Sequence, residues 1–185
     1  MRVVAGKIKG HRLRVPKGRD LRPTAARVKE ALFNILPHDL SGLRVLDLFA
    51  GTGNLSVEAL SRGAAQAVLV DASRKAAVAI RENLRALGLS NSCEVWIAPV
   101  LKAVRALARR GEKFDLIFLD PPYEKGWVGK ILRLLADEDL LRAQGTVVAE
   151  HSVREKIADR YGRLRLRDQR RYGATLLSFF EYGAA

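Results

Sequence analysis

The chain has 185 residues, of which 48% are hydrophobic, and this length and composition are typical of one globular domain with a sizeable core. Lys and Arg number 33 against 20 Asp and Glu, and the resulting net charge of +13 favours a polyanionic partner. Because the sequence contains no membrane-length apolar run, no signal-peptide pattern and only one cysteine, Cys93, we expect a cytoplasmic protein without a membrane span, a disulfide framework or a cysteine-based zinc site.

The positive charge is concentrated near the two ends of the chain. Residues 1–29 hold ten Lys or Arg and one acidic residue, and a second basic cluster runs from Arg154 to Arg171. Neither cluster shows bulky apolar residues opposite a basic helix face, which disfavours a membrane surface. The clustering predicts nucleic acid as the partner, and a basic surface without a partner is the alternative.

The first predicted elements are a short hairpin and a helix. Residues 2–15 contain two β-prone pieces around glycines, which indicates a short basic β-hairpin, and residues 17–23 are predicted to form a loop. Thr24 is a predicted N-cap, and apolar residues at helical spacing then predict a helix that Pro37 ends. We expect this helix to pack on the domain with Arg27 and Lys29 outside.

The next stretch, LRVLDLFAGTGNL at residues 43–55, predicts a buried strand followed by a ligand-binding turn. Gly51 and Gly53 allow the backbone to turn tightly and approach a ligand, although a bare Gly-x-Gly could also close a structural turn. A second apolar strand ends in Asp71, close to the roughly 20-residue spacing of a ribose-binding carboxylate. Ser56 stands where a diphosphate-binding loop has a third Gly or an Ala, so the pattern favours S-adenosylmethionine over NAD.

Strands and helices alternate from Leu43 to Glu150, which predicts a parallel sheet with right-handed crossovers. The predicted strands are 43–49, 66–71, 93–97, 114–119 and 145–150, with helices near 54–63, 73–87, 100–110 and 127–136. A short helix at about 153–160 and two antiparallel strands, 163–168 and 174–181, are predicted to follow. The predicted fold is therefore α/β and Rossmann-like: a mostly parallel seven-stranded sheet with helices on both faces and a C-terminal antiparallel hairpin, the layout of class I S-adenosylmethionine-dependent methyltransferases.

The fourth strand runs into Asp120-Pro121-Pro122-Tyr123, a stiff loop because both prolines restrict the backbone. The Asp120 carboxylate and the Pro121 carbonyl would be two fixed acceptors that orient an exocyclic amine toward a methyl donor. Tyr123 offers a ring on which a base can stack. A rigid strand-ending turn without chemistry is the alternative.

Other candidate residues have plainer interpretations. His11, His38 and His151 are scattered without metal-ligand spacing, so we expect no metal site. Trp127 either shields a base or packs at the start of a helix. Glu150 ends the fifth strand, where a hydrogen-bonding role is favoured over catalysis, and Cys93 is predicted to lie in the core.

These motifs together resemble the RsmD family of 16S ribosomal RNA guanine methyltransferases. The resemblance rests on VLDLFAGTGNL, LVD and LDPPY, preceded by RPTAARVKEALFNIL and followed by RYGATLLSFFEY, and it covers nearly the whole chain. DPPY is shared with DNA adenine methyltransferases and other amino-group methyltransferases, so it indicates the reaction but not the substrate. The Arg22-Pro23-Thr24 motif and the GKIKGHRL opening are more specific to the family.

The resemblance implies methyl transfer from S-adenosylmethionine to the 2-amino group of one guanine in 16S rRNA, on the assembled small subunit. A DNA adenine methyltransferase and a non-catalytic RNA-binding assembly factor are the alternatives. The implied arrangement is a basic RNA-contacting extension, residues 1–40, before a methyltransferase domain, residues 41–185, and we expect a monomer. The implied RNA-binding residues are Lys7, Lys9, Arg12, Arg22, Thr24 and Arg27.

The resemblance also assigns the cofactor and target-base residues. Asp120, Pro121, Pro122 and Tyr123 would hold the target base. The implied cofactor-binding residues are Asp47, Phe49, Ala50, Gly51, Gly53, Asp71 and Ala98. Of these, Asp47 and the glycine loop would face the methionine part, and Asp71 the ribose. The family pattern often has an Asp or Asn near the adenine amine, whereas this chain has Ala98-Pro99-Val100, so adenine contacts are expected from backbone or apolar groups.

Overall fold

The structure, a computed structural model, describes residues 1–15 and 23–183, with the side chains of residues 23–25 outside the description. Its helices are α1 (Pro23–Ile35), α2 (Asn54–Ser61), α3 (Arg74–Ala86), α4 (Val100–Arg109) and α5 (Trp127–Asp137), with a short 3-10 turn at Ser90–Ser92. Its strands are β1 (Arg44–Leu48), β2 (Gln66–Asp71), β3 (Cys93–Ile97), β4 (Phe114–Leu119), β5 (Leu141–Ser152), β6 (Arg160–Tyr161), β7 (Leu164–Tyr172) and β8 (Thr175–Tyr182). In these described ranges no helix is long and apolar enough to cross a membrane.

The strands form one sheet in the order β3-β2-β1-β4-β5-β8-β7-β6. The first five strands are parallel, whereas β8 pairs antiparallel with β5 and β7. This arrangement confirms the predicted mostly parallel sheet with a C-terminal antiparallel hairpin. The strand order reverses between β1 and β4, and ligands of open α/β sheets bind at the carboxyl ends of strands beside such a reversal.

The segment between β5 and β7 differs from the prediction. Instead of a helix at 153–160, the structure has turns followed by the two-residue strand β6. This strand lies at the edge of the sheet, so the described sheet has eight strands where seven were predicted. The backbone amides there have local non-helical partners: the Arg154 amide donates to Ser152 Oγ (3.2 Å) and the Ala158 amide to Tyr161 Oη (2.9 Å). Hydrogen bonds to such side-chain acceptors compete with the backbone hydrogen bonds of a helix. The buried ring of Tyr161 packs against Phe180, which holds the segment in place as a strand.

Both faces of the sheet are covered by helices, which explains the nearly continuous apolar strands. One core cluster joins α4 and α5 to the sheet and includes Val104, Leu107 and Ile131. The other cluster, on the opposite face, joins α1, α2 and α3 and includes Phe33 and Ile80. The site therefore lies at the carboxyl edge of a sheet whose central strands β1, β2 and β4 are buried between two layers of helices.

The N-terminal residues form the predicted hairpin. Arg2 and Arg12 make an antiparallel bridge, and the Val3 amide donates to the His11 carbonyl (2.9 Å). The buried side chains of Val3 and Leu13 lie in the same core cluster as α1 and α2. Residues 1–15 are consequently built into the core rather than attached loosely.

Two predictions for α1 are wrong. The helix begins at Pro23, where proline is well tolerated, so Thr24 lies inside the first turn and is not the N-cap. Lys29 is 3% exposed rather than outside. Arg27, in contrast, is exposed as predicted.

Candidate active site

A pocket of about 750 Å³ opens at the carboxyl edge of the sheet, where β1, β2 and β4 end. It lies at the strand-order reversal, the expected position for a ligand in this fold. The structure brings eight of the predicted cofactor and target-base residues into its lining: Asp47, Phe49, Ala50, Gly51, Asp71, Asp120, Pro121 and Pro122. Residues from distant parts of the sequence thus converge on one cavity.

The loop after β1 is a tight turn with several left-handed residues. Phe49, Gly51 and Gly53 have φ values of 64°, 61° and 76°. The Ala50 amide donates to the Val70 carbonyl (3.0 Å), and the Gly53 amide donates to the Ala50 carbonyl (2.8 Å). The glycines make this path possible because they tolerate positive φ without steric cost.

Asp71 is fixed at the end of β2. Its Oδ2 accepts the Gly51 amide (2.9 Å), and its Oδ1 accepts the Ser73 amide (2.8 Å). An ionised carboxylate has about four lone-pair positions, so both oxygens can accept further hydrogen bonds. This carboxylate is suited to hold a pair of ribose hydroxyls.

Asp47 lies beneath the loop, with 1% of its surface exposed. Burial raises the pKa of Asp47 to about 7, although hydrogen bonds from Ser56 Oγ (2.7 Å) and the Ser56 amide (3.3 Å) act in the opposite direction. Near neutral pH the carboxyl group is therefore divided between its protonated and ionised forms. A cation placed in the pocket would favour the ionised form.

Lys29 is a pocket-lining residue that the sequence analysis missed. Its Nζ donates to Arg2 O (2.6 Å), Asn54 Oδ1 (3.0 Å) and Glu58 Oε2 (3.0 Å). Burial lowers the pKa of Lys29, and the charge of Glu58 partly offsets this effect. The available signal was Glu58 itself, the single acid of the short helix α2, because a carboxylate that is buried needs a buried partner.

Two predicted cofactor residues, Gly53 and Ala98, do not line the pocket. A Cβ on Gly53 would lie 3.1 Å from Leu69 Cδ2 and 3.6 Å from Ile80, so it would enter the core and not the crevice. On the side predicted for adenine, the lining comes from Pro99, Val100 and Leu101. That surface is apolar, as the departure from the family pattern suggested.

Tyr123 does not line the main pocket. Its hydroxyl donates to Glu150 Oε1 (2.6 Å) and lies 3.1 Å from Thr175 Oγ1, and the residue lines a second cavity of about 460 Å³. Burial and the charge of Glu150 raise the pKa of Tyr123. Stacking of a base on this ring stays a prediction, while the hydrogen-bonding role of Glu150 is confirmed.

The remaining candidates are resolved by their surroundings. Trp127 lines the pocket and packs edge-on against Phe49 with ring centroids 5.8 Å apart, so it is both a packing residue and a pocket wall. His151 is buried and bonds to Ser178 Oγ (2.8 Å), which makes it structural. Burial raises the pKa of the partly buried Cys93 thiol to about 12, which disfavours the nucleophilic thiolate near neutral pH.

The structure describes the side chains of four of the six predicted RNA-binding residues. Lys7, Lys9, Arg12 and Arg27 are exposed, whereas Arg22 and the side chain of Thr24 lie outside the described residues. The hairpin that carries the first three also contributes Met1 and Val15 to the pocket lining. Exposed positive charge therefore belongs to the same structural unit as one wall of the pocket.

We expect Gly53→Val to lower the free energy of unfolding by about 2–4 kcal/mol, because it combines a left-handed residue with a contact into a packed core. The glycine loop should shift, and cofactor affinity should fall with it. Gly88→Val is the matched control, since Gly88 also has positive φ (69°) but no atom within 4 Å of an added Cβ. Urea unfolding and calorimetry measure both effects, and equal losses in the two variants would show that core contact contributes nothing.

The comparisons with known proteins agree over almost the whole chain. The family described as conserved hypothetical protein 95 matches residues 1–181. YlbH of Bacillus subtilis is 36% identical over 181 residues, covering 98% of both chains. Ribosomal RNA small subunit methyltransferase D of Escherichia coli K12 is 35% identical over 153 residues, covering 83% of this chain and 75% of the relative.

A solved structure has the same fold over nearly the whole chain. A hypothetical protein of Thermus thermophilus matches with a TM-score of 0.82 and 31% identity, covering 98% of this chain and 99% of the other. Shared fold, shared motifs and near-complete coverage place the chain in one family. The chain belongs to the conserved hypothetical protein 95 family, the RsmD family that its motifs resemble.

Proposed function

We propose that the protein transfers a methyl group from S-adenosylmethionine to the exocyclic 2-amino group of a guanine in 16S rRNA, on the assembled small subunit. One observation carries this proposal: Asp120, Pro121 and Pro122 line the same pocket as the glycine loop and Asp71. A methyl donor and an amine acceptor can therefore meet there. The similarity to ribosomal RNA small subunit methyltransferase D of Escherichia coli supports the substrate class.

The pocket suits S-adenosylmethionine in three places. Asp71 would accept the ribose hydroxyls, and Pro99 to Leu101 would pack against adenine. The turn around Gly51 would hold the methionine part, with Asp47 close to its ammonium group. When bound, this cofactor supplies an electrophilic methyl group on a sulfonium centre.

Asp120 would orient the amine in the reaction. The lone pair of an exocyclic amine is delocalised into the base, so the group must be turned before it can attack. A carboxylate beside the rigid Pro121 carbonyl offers two acceptors for the two N–H bonds. The nitrogen attacks while neutral and releases a proton as positive charge develops, so Asp120 need not be a strong base.

Nucleoside analysis tests the proposal directly. Mass spectrometry of 16S rRNA from cells lacking the gene should show the loss of N2-methylguanosine, and purified enzyme with S-adenosylmethionine should restore it on small subunits from those cells. Methylated adenine in DNA would instead support the DNA methyltransferase alternative. Binding to subunits without any methyl transfer would support the assembly-factor alternative.

Charge reversal of the hairpin tests its proposed role as an RNA-binding arm. We expect Lys7→Glu, Lys9→Glu and Arg12→Glu together to weaken RNA binding while cofactor affinity stays the same. The slope of log affinity against log salt concentration should become less steep by about 0.7 to 0.9 for each lost phosphate contact. Filter binding across a salt series measures this slope.

The matched control for the arm reverses three exposed arginines on the opposite face of the sheet, Arg105, Arg109 and Arg133. This triple variant changes net charge equally but leaves the hairpin intact. If both triple variants weaken binding to the same extent, overall charge and not the hairpin determines RNA affinity.

Asp47 should couple cofactor binding to proton release. Because its pKa is about 7 in the free protein, an ammonium group nearby should lower that pKa and expel a proton from the protonated fraction. Calorimetry between about pH 6 and 7, in buffers of different ionisation enthalpy, measures the release. Asp47→Asn should abolish it, and an unchanged proton count in that variant would place the linkage elsewhere.

A further inference from the structure

Glu150 is a carboxylate that the proposed chemistry leaves unused. It lies near the end of β5 and borders both the main pocket and the second cavity. Its Oε1 accepts the hydroxyl of Tyr123 (2.6 Å), which holds the group in one orientation. A carboxylate has about four lone-pair positions, so this bond leaves acceptor capacity toward the pocket.

The strand register places Glu150 beside Asp120. In the parallel pair of β4 and β5, Leu119 is the partner of Ala149. The residues that follow these partners are both carboxylates, Asp120 directly after β4 and Glu150 within β5, and both line the main pocket. Two carboxylates therefore reach one pocket from adjacent strands, at the place proposed for the methyl-accepting base.

Guanine and adenine differ at the matching positions. Guanine presents N1–H and the 2-amino group as adjacent donors, whereas adenine presents its amino group beside N1, which has a lone pair and no hydrogen. Enzymes that act on an extruded base read this edge by hydrogen bonds. Two neighbouring carboxylates fit the guanine edge and oppose the N1 lone pair of adenine.

We infer that Glu150 is the residue that selects guanine: its carboxylate accepts N1–H while Asp120 accepts from the 2-amino group. This inference rests on the proposed function and adds the specificity that the Asp-Pro-Pro-Tyr loop cannot provide. Tyr123 acts as a positioning residue, because its hydroxyl fixes the Glu150 carboxylate before the base arrives.

Glu150→Gln separates this role from a structural one. Glutamine has nearly the same shape, and its amide oxygen can still accept the Tyr123 hydroxyl, so a purely structural role is preserved. Its amide NH2 is a donor and cannot accept the N1–H of guanine. The same NH2 can donate to N1 of adenine, which is an acceptor. The variant should therefore change base preference without disturbing the fold.

The experiment uses small subunits whose 16S rRNA carries either guanine or adenine at the position that the wild-type enzyme methylates. Single-turnover kcat/KM is measured for wild type, Glu150→Gln and the control Glu155→Gln, whose residue does not line the main pocket. We expect Glu150→Gln to lose about ten- to hundredfold on guanine and to narrow the guanine preference by at least that factor. The control should match wild type, and both variants should bind S-adenosylhomocysteine normally.

Each other outcome has a defined meaning. If Glu150→Gln has the same kcat/KM and the same preference for guanine over adenine as the wild type, the inference is wrong. The proposed function would not be affected by that result. Loss of activity together with cofactor affinity would also overturn it, because Glu150 would then be structural. If the wild-type enzyme forms no N2-methylguanosine, the proposed function itself fails and the inference falls with it.

Discussion

Asp120→Ala should slow methyl transfer by at least about three orders of magnitude, which corresponds to about 4 kcal/mol of transition-state stabilisation. Asp120 lines the pocket directly after β4, beside the two prolines that hold the loop. Removing its carboxylate leaves the amine without the acceptor that turns its lone pair toward the methyl group. The loss is greatest in the transition state, because the N–H bonds become stronger donors as charge develops on nitrogen.

Single-turnover assays on small subunits measure this rate, with the cofactor saturating. Asp120→Asn is the matched variant, since its amide keeps one acceptor oxygen at the same place and should retain more of the rate. Affinity for S-adenosylhomocysteine should stay within about twofold in both variants, because the cofactor is assigned to the glycine loop and Asp71. A near-normal rate in Asp120→Ala would remove Asp120 from the chemistry.

Glu58→Ala should lower the free energy of unfolding by about 3–5 kcal/mol, the range found when one partner of a buried ion pair is removed. Glu58 is fully buried and accepts four donors. Its Oε2 accepts the Val4 amide (2.8 Å) and Lys29 Nζ (3.0 Å), and its Oε1 accepts the Ala5 amide (3.0 Å) and Arg62 Nε (3.2 Å). The variant leaves buried donors and two buried cations without this partner.

The same change should loosen the hairpin and weaken cofactor binding, because Lys29, Met1 and Val15 line the pocket. Denaturant unfolding and calorimetry measure the two effects. Glu58→Ala combined with Lys29→Met is the control, since it removes one unpaired charge and should recover part of the stability. The effect of Lys29→Met on the free energy of unfolding is also measured in the wild-type background. If Lys29→Met lowers stability equally in the wild type and in Glu58→Ala, the two residues are not coupled.

We also expect Glu58 to make the free energy of unfolding depend on pH in the acid range. Burial acts to raise the pKa of Glu58, but the Val4 amide, Lys29 and the Ala5 amide outweigh it, so the pKa lies below its usual value. A depressed pKa stabilises the folded state fully above the unfolded pKa, and this contribution is lost as the pH falls through the folded pKa. Wild type should therefore lose stability below about pH 4 more steeply than Glu58→Ala.

Features that neighbouring residues encode could be predicted without knowing the fold. The turn at Gly51 and Gly53, the strand end at Asp71 and the stiff loop after Asp120 depend on local backbone preferences and on apolar runs, which are legible without knowing the fold. The alternation of strands and helices then placed these strand ends at one edge of a parallel sheet. Cofactor class and reaction type could be predicted for the same reason.

Features that join distant residues could not be predicted in this way, because they depend on how the elements pack. Lys29 was predicted outside because its helix alone does not reveal Glu58, 29 positions away. The bond between Tyr123 and Glu150 and the pairing of β4 with β5 depend on strand register, which the separate apolar patterns of the two strands do not encode. Buried polar groups obtain their partners from whichever elements pack together, so their roles emerge only when the chain is folded.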